Sequence, residues 1–395
     1  MLTGASHWPA RAGGARKSRV LNLANPVSAR TTLVSSLRAV IGDRPSVKRR
    51  LWQADTQLGR LKHEAAELFP ILIQPRPRRL NIAITASCNY RCLGCRYGRD
   101  FMPGEQLPLP VVEGMLTDAR SVGIDTVHFL GGEPLLHRDL PRMIERSVEQ
   151  ELFPSITTNA SLLKERVDDL YSAGLRSICV GYYGAEHEYD EYVQRDGDFG
   201  RFETAIDAVR QRYGDDLRLQ MNYLLARPSC TVEAIEAAWE FAGRYRMTFS
   251  PLLAHYSFPY FTDGPDHSLA FTPGDRRAIE LVVDQLLTWK AEDPERIVES
   301  EMSLRSIPDW AMKGPEMRVP CDAYQILFVA ADGTVQLCDV TFKLGNVHKQ
   351  SLREIVSTDA HRQAARDAFA LNCPNCQCYR DSRIQKHGPS RRLYG

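Results

Sequence analysis

The feature that most constrains this chain is an alternation of strand-like and helix-like segments running from residue 80 to residue 251. Short β-branched and apolar runs predict strands over 80–85, 126–130, 155–158, 177–180, 217–225 and 247–251. Between them the apolar spacing changes to the helical period over 111–122, 138–151, 164–173, 202–213 and 232–245. Gly123 and Gly174 stand where two of these helices should end. Strands that return parallel to one another need crossover connections, so the alternation specifies an α/β fold with a parallel sheet, and six repeats suit an open or partial barrel. A further helix, 275–290, leads out of the repeats. The texture then changes to a hairpin, 325–329 and 334–338 around Asp332-Gly333, followed by a helix over 352–369 and a cluster of cysteines.

Upstream of the alternation lies a segment of different character. Residues 1 to 42 are rich in Arg, Ala, Ser and Gly without periodicity, which predicts a loosely packed arm. A helix over 45–68 follows, its apolar rows being Leu51, Leu58 and Ala65 beside Ala54, Leu61 and Leu68. Residues 1–79 hold 15 Lys/Arg against 4 Asp/Glu, and the remainder holds 35 against 45, so a basic extension (+11) precedes a mildly acidic body (−10). The expected organisation is therefore an N-terminal extension (1–79), a barrel (80–310), a cysteine-rich module (311–380) and a tail (381–395). No apolar run reaches the roughly 18 residues of a membrane helix, and none of signal-peptide length follows the first basic residues, so a membrane span is excluded and the cytoplasm is expected. The basic arm lacks aromatic interleaving and matches no nucleic-acid module, so it reads as a partner-docking or solvated segment.

Eight of the ten cysteines fall into two groups, and in a reducing compartment close thiols point to metal chemistry before disulfides. Cys88, Cys92 and Cys95 follow the first strand, at the mouth where barrel active sites sit. On spacing alone, structural zinc with a distant fourth ligand and a four-iron, four-sulfur cluster with one open iron stand level.

The Cys-x3-Cys-x2-Cys loop after a first strand resembles the radical S-adenosylmethionine (SAM) superfamily, and other motifs extend the likeness. Gly131-Gly132-Glu133-Pro134 stands after the second strand, where the family holds the methionine amino group of the cofactor; Thr157-Thr158-Asn159 ends the third; Gly181-Tyr182-Tyr183 ends the fourth. The resemblance implies a partial (β/α)6 TIM-like barrel, a cluster on Cys88, Cys92 and Cys95, and SAM held by Tyr90, Gly94, Gly131, Gly132, Glu133, Pro134, Thr158, Asn159 and Gly181. It implies reductive cleavage of SAM to a 5′-deoxyadenosyl radical that removes hydrogen from a substrate, with the electron coming from a donor such as flavodoxin or ferredoxin. This chain departs from the family at Gly94, where most members carry an aromatic residue, and at Gly181, where relatives often have Ser or Thr.

The second group is Cys321, Cys338, Cys373, Cys376 and Cys378. Alone, a hairpin pair with a Cys-x2-Cys is most often structural zinc. C-terminal to such a barrel, the pattern resembles the SPASM/twitch extension, which carries auxiliary iron–sulfur clusters. Five cysteines are too few for the seven of a two-cluster SPASM domain. The resemblance therefore implies one auxiliary 4Fe-4S cluster on Cys321, Cys338, Cys373 and Cys376, with Cys378 spare or an alternative ligand. Tyr183, His187, Asn222 and His255, at strand C-termini, are the candidate substrate contacts. The expected reaction is dehydrogenation or epimerisation of a sugar-like small molecule; maturation of a ribosomal peptide and a zinc-stabilised binding protein are the alternatives.

Overall fold

The computed structural model describes residues 45–255, 267–339 and 341–395. The arm over residues 1–42 and the aromatic loop over 258–265 lie outside the described residues. The chain divides into two compact units, residues 1–58 and 59–395. The first contains the start of helix α1 (Pro45–Leu68).

The larger unit is built on one sheet. Strands β1 (Arg79–Thr85), β2 (Thr126–Gly131), β3 (Phe153–Thr158), β4 (Ser177–Tyr182), β5 (Arg218–Leu225) and β6 (Thr248–Leu253) lie parallel in chain order. Their crossovers contain α2 (Leu109–Ser121), α3 (Leu140–Glu149), α4 (Leu163–Ser172), α5 (Glu186–Val193), α6 (Asp198–Tyr213) and α7 (Val232–Arg244). The sheet order β6-β5-β4-β3-β2-β1-β7-β8-β9 is open, so this is the partial barrel expected. One face of each strand, including Ile82, Phe129, Ile156, Val180, Met221 and Phe249, is buried in the main core under the helices.

The opposite face departs from the rule for parallel sheets, whose strands are usually apolar on both sides. Registers align Asn81 with His128 and His128 with Ser155, then Thr157 with Cys179 and Cys179 with Gln220, then Gly181 with Asn222 and Asn222 with Ser250. Alternation puts all of these on the inner face. Thr157, Cys179, Gln220 and Asn222 remain partly exposed. The barrel interior is therefore a polar cleft in place of the branched apolar packing that fills a closed barrel.

The hairpin beyond the barrel is not a separate sheet. Strand β7 (Ile326–Val329) pairs parallel with β1, Arg79 against Ile326, and β8 (Thr334–Gln336) and β9 (Lys343–Asn346) continue antiparallel from it. Helices α8 (Arg276–Glu292), α9 (Glu301–Arg305) and α10 (Ile307–Lys313) lead from barrel to hairpin. The helix expected over 352–369 is two, α11 (Leu352–Val356) and α12 (Asp359–Phe369), because the Thr358 hydroxyl accepts from His361 N and starts a new helix. The segment expected as a tail forms α13 (Arg380–Lys386) and α14 (Gly388–Tyr394). It is anchored by buried Arg383 and by the Tyr394 hydroxyl, which donates to Asp309 at 2.7 Å.

On the second half of α1 the expected apolar row faces outward, with Leu61 62% and Leu68 78% exposed. The buried contacts come from the offset positions His63 and Ala66. Ala66 joins Ile73, Ala365 and Phe369 in a small core, and the His63 ring meets Phe369 edge-on at 4.9 Å.

Candidate functional site

Beyond β1 the chain turns through the loop that carries Cys88, Cys92 and Cys95. Tyr90 N donates to Cys88 Sγ at 3.4 Å, and Cys95 N donates to Cys92 O at 3.2 Å. The Arg99 guanidinium donates to the carbonyls of Cys95 and Cys92. Gly98, in the π-helical turn Tyr97–Phe101, packs so closely that a Cβ would lie 1.8 Å from Ala86 O. The three thiols sense one another. Cys88 stands at the exposed start of the loop; burial pushes the half-buried Cys92 well above the ordinary thiol value, with Cys95 and Cys88 adding to the rise. Such thiols stay protonated until a metal displaces the protons, and three of them on one loop fit the open cluster that the sequence implied.

The Gly131-Gly132-Glu133-Pro134 turn is zipped to the start of that loop. Gly132 N donates to Thr85 O and Glu133 N to Ser87 O, both at 2.8 Å. Gly131 has φ +132°, and a Cβ on Gly132 would stand 2.2 Å from Ser87 O. The approach the glycines permit is thus to the cysteine loop itself. The Glu133 carboxylate is fully buried and accepts from Leu135 N (2.9 Å), the Thr158 hydroxyl (2.8 Å) and Asn159 N (2.7 Å). Through these bonds it ties β2 to the end of β3. Burial raises it to about 7 against those three donors. Pro134 opens a short 3-10 turn, and Asn159 Nδ2 donates to Asn89 Oδ1 at 2.9 Å, so the third strand also braces the loop.

Aromatic rings close one side. Tyr90 is buried beneath the Arg195 guanidinium, 5.5 Å from the ring centroid. Tyr183 stacks on Tyr192 at 4.1 Å and lies near Cys88, Cys92 and Cys95. A Cβ on Gly181 would meet the Tyr183 hydroxyl at 2.2 Å, so the glycine that departs from the family pattern is the space the ring occupies. Gly94 has φ +74°, which a glycine adopts without strain where an aromatic residue would not. Asn222 lies on the polar inner face, accepting from Gln220 Nε2 at 2.8 Å. Two substrate candidates lie elsewhere. The His187 side chain is 80% exposed on α5, 3.7 Å from Glu191, because the helix begun at Glu186 turns it outward. His255 faces the second cysteine group, with Nε2 3.1 Å from Cys378 Sγ.

That second group lines a pocket with Cys321, Cys338, Cys373, Cys376 and Cys378 in its wall, together with Ala323, Phe342, Ala368 and Leu371. The apolar remainder of the lining and the nearby Arg383 guanidinium fit a cluster held by thiolates. Arg383, over the Trp310 ring at 4.8 Å, donates to the carbonyls of Cys376 and Val319 and to Asn375 Oδ1, which fixes the shape of the cysteine loop. Sequence reasoning missed Arg383, since a lone arginine in an apparent tail carries no spacing signal. The two cysteine regions meet: Tyr97 packs with Phe328, Ala330 and Ala331, and Ala331 N donates to the Tyr97 hydroxyl at 3.2 Å.

The pattern of the Radical SAM superfamily matches residues 82–226, and that of the SPASM iron–sulfur cluster-binding domain matches residues 321–379. The chain carries a radical SAM domain followed by a SPASM iron–sulfur domain. As a radical SAM protein with a SPASM domain it takes 4Fe-4S clusters and SAM as cofactors. Among its relatives are a probable GTP 3′,8-cyclase of Thermococcus kodakarensis, 32% identical over 149 residues, and a GTP 3′,8-cyclase of Aquifex aeolicus, 36% identical over 137 residues. These alignments cover 37% and 33% of the chain, and 47% and 43% of the relatives, so the chain matches less than half of each one's length. Among solved structures, Streptococcus suis SuiB bound to precursor peptide SuiA superposes with TM-score 0.58 at 20% identity, covering 77% of this chain and 70% of that one. The anSMEcpe protein with bound AdoMet and a Cp18Cys peptide superposes with TM-score 0.57 at 16% identity, covering 77% and 87%. Both likenesses concern the fold. No helix among the described residues is long and apolar enough to cross a membrane.

Proposed function

We propose that this chain is a radical SAM oxidoreductase acting on a C–H bond of a polar, hydroxyl-bearing small molecule, with a single auxiliary cluster of the twitch type. When bound, the cluster and SAM supply a 5′-deoxyadenosyl radical. Cys88, Cys92 and Cys95 would hold the cluster. The turn at Gly131 and Gly132 fixes the loop's position, while Tyr90, Tyr183 and Gly181 shape the cofactor side and keep water out. The observation that carries the substrate class is the polar inner face of the sheet, where partly exposed Thr157, Cys179, Gln220 and Asn222 offer hydrogen-bonding groups below the cysteine loop. A hydroxyl-rich substrate meets such groups without leaving them unpaired; an apolar one would not.

Cys321, Cys338, Cys373 and Cys376 would hold the auxiliary cluster, which suits oxidation by taking the substrate electron. The peptide reading draws support from SuiB, whose structure includes a precursor peptide. The test is anaerobic reconstitution with iron and sulfide, then SAM with a chemical reductant. Wild type should release 5′-deoxyadenosine, and Cys92→Ala should release none. Adding sugar alcohols should then raise 5′-deoxyadenosine in step with an oxidised product. Deuterium gained from solvent with no change in oxidation level would favour epimerisation. Turnover on a peptide alone would overturn the substrate class.

A further inference from the structure

One thiol of the proposed quartet stands together with two donor atoms from outside it, beyond the end of β6. His255 Nε2, Cys376 Sγ and Cys378 Sγ all lie within 4.8 Å of one another, and His255 Nε2 is 3.1 Å from Cys378 Sγ. His255 comes from the end of β6 and Cys378 from the cysteine loop 123 positions later. The meeting is built: Gln377 Nε2 donates to Leu253 O at 2.7 Å and to Ala254 O at 3.1 Å, and Arg380 Nη2 donates to Pro251 O at 3.3 Å. Three hydrogen bonds, two from Gln377 and one from Arg380, thus clamp the loop to the end of the strand and leave His255 against Cys378.

The spacing bears on which thiols can hold a cluster. Two thiolates sharing one tetrahedral metal at about 2.3 Å per bond stand ~3.8 Å apart. Thiolates on separate corners of a cubane diverge and stand farther apart than that, because each iron takes only one of them. Cys376 and Cys378, within 4.8 Å of each other, do not have the spacing of two corners. One of the two is a ligand and the other stands beside it. Cys378 is the one already engaged by a side chain from outside the module.

We infer that Cys378 is not a ligand of the auxiliary cluster but a thiol oriented by His255 to hydrogen-bond the ligating sulfur of Cys376. This rests on the reading of the pocket as a four-iron site. Hydrogen bonds to cluster sulfurs withdraw electron density and favour the reduced form, so the pair raises the auxiliary potential and makes the cluster a better electron acceptor. His255 acts through Cys378 and is a positioning residue.

The test uses the full chain carrying Cys88→Ala, Cys92→Ala and Cys95→Ala, so that only the auxiliary cluster takes up iron. Cys378→Ala, Cys378→Ser, His255→Phe and Cys376→Ala are added singly, and iron per chain and the potential by EPR-monitored titration are measured. Cys378→Ala and His255→Phe should keep the parent's iron and shift the potential negative. Cys378→Ser, which retains a donor, should shift it less. Cys376→Ala should lose the cluster. Loss of iron in Cys378→Ala and Cys378→Ser would make Cys378 a ligand and overturn the inference, as would unchanged potentials in Cys378→Ala and His255→Phe. A parent that binds no cluster at all would overturn the four-iron reading and the pair with it, a result distinct from loss confined to the Cys378 variants.

Discussion

At Gly132 a single hydrogen atom decides whether two loops can meet. A methyl there would lie 2.2 Å from Ser87 O and 2.5 Å from Ala86 O, both backbone atoms that cannot swing aside. The loop that carries Cys88 would have to move by an ångström or so. We expect Gly132→Ala to lower 5′-deoxyadenosine release by ~10²-fold, the scale of such a misplacement, while iron uptake persists. Release at the wild-type rate would show that the zipped turn is dispensable. The cysteines and the Gly131-Gly132 turn were legible in the sequence because their spacing is local and their chemistry unusual. The occupation of Glu133 by three internal donors was not, since its partners Thr158 and Asn159 arrive from another strand. The same holds for the neighbourhood of His255, which lies against Cys378 because Gln377 and Arg380 draw the cysteine loop across the end of β6.

Among the elements, the helix α13 turns an arginine into the frame of a metal site. Arg383 is fully buried, and its guanidinium holds the carbonyls of Cys376 and Val319. Replacing it with Met keeps length and apolar contact with Trp310 but leaves those carbonyls unpaired, at about 1–3 kcal/mol for each group. Arg383→Met should therefore lose about one four-iron cluster's worth of iron while SAM cleavage continues. Retention of full iron would assign α13 a packing role only. All six barrel strands and their long helices were legible, their periods being carried by side chains that pack on a single core. The elements not foreseen, α5, α9, α10, α13, α14 and β9, are eight residues or fewer, too short for a period to repeat. The break between α11 and α12 hinges on one hydroxyl cap at Thr358 that interrupts an otherwise continuous helical pattern.

For the whole molecule, acid sensitivity should reside in histidines buried neutral. Burial lowers His63 to about 4, and neither ring nitrogen has a hydrogen-bond partner among the described residues. The unfolded chain takes up its proton near 6.5 and the folded one near 4, so the stability this residue contributes is complete above pH 6.5 and falls as pH drops through that window. His63→Phe should flatten the loss of thermal stability between pH 6.5 and 4 in the cluster-free protein, measured by circular dichroism. An unchanged profile would place the sensitivity elsewhere. The shared sheet has a further consequence, in time. Arg79 of β1 meets Ile326 of β7, 247 positions later, and at roughly 5–20 residues per second that stretch takes roughly 12–50 s to emerge from a ribosome. Throughout that interval the nascent chain displays β1 as an unpaired apolar edge directly beside three uncommitted thiols. Cluster loading before β7 arrives would therefore act on a half-finished barrel.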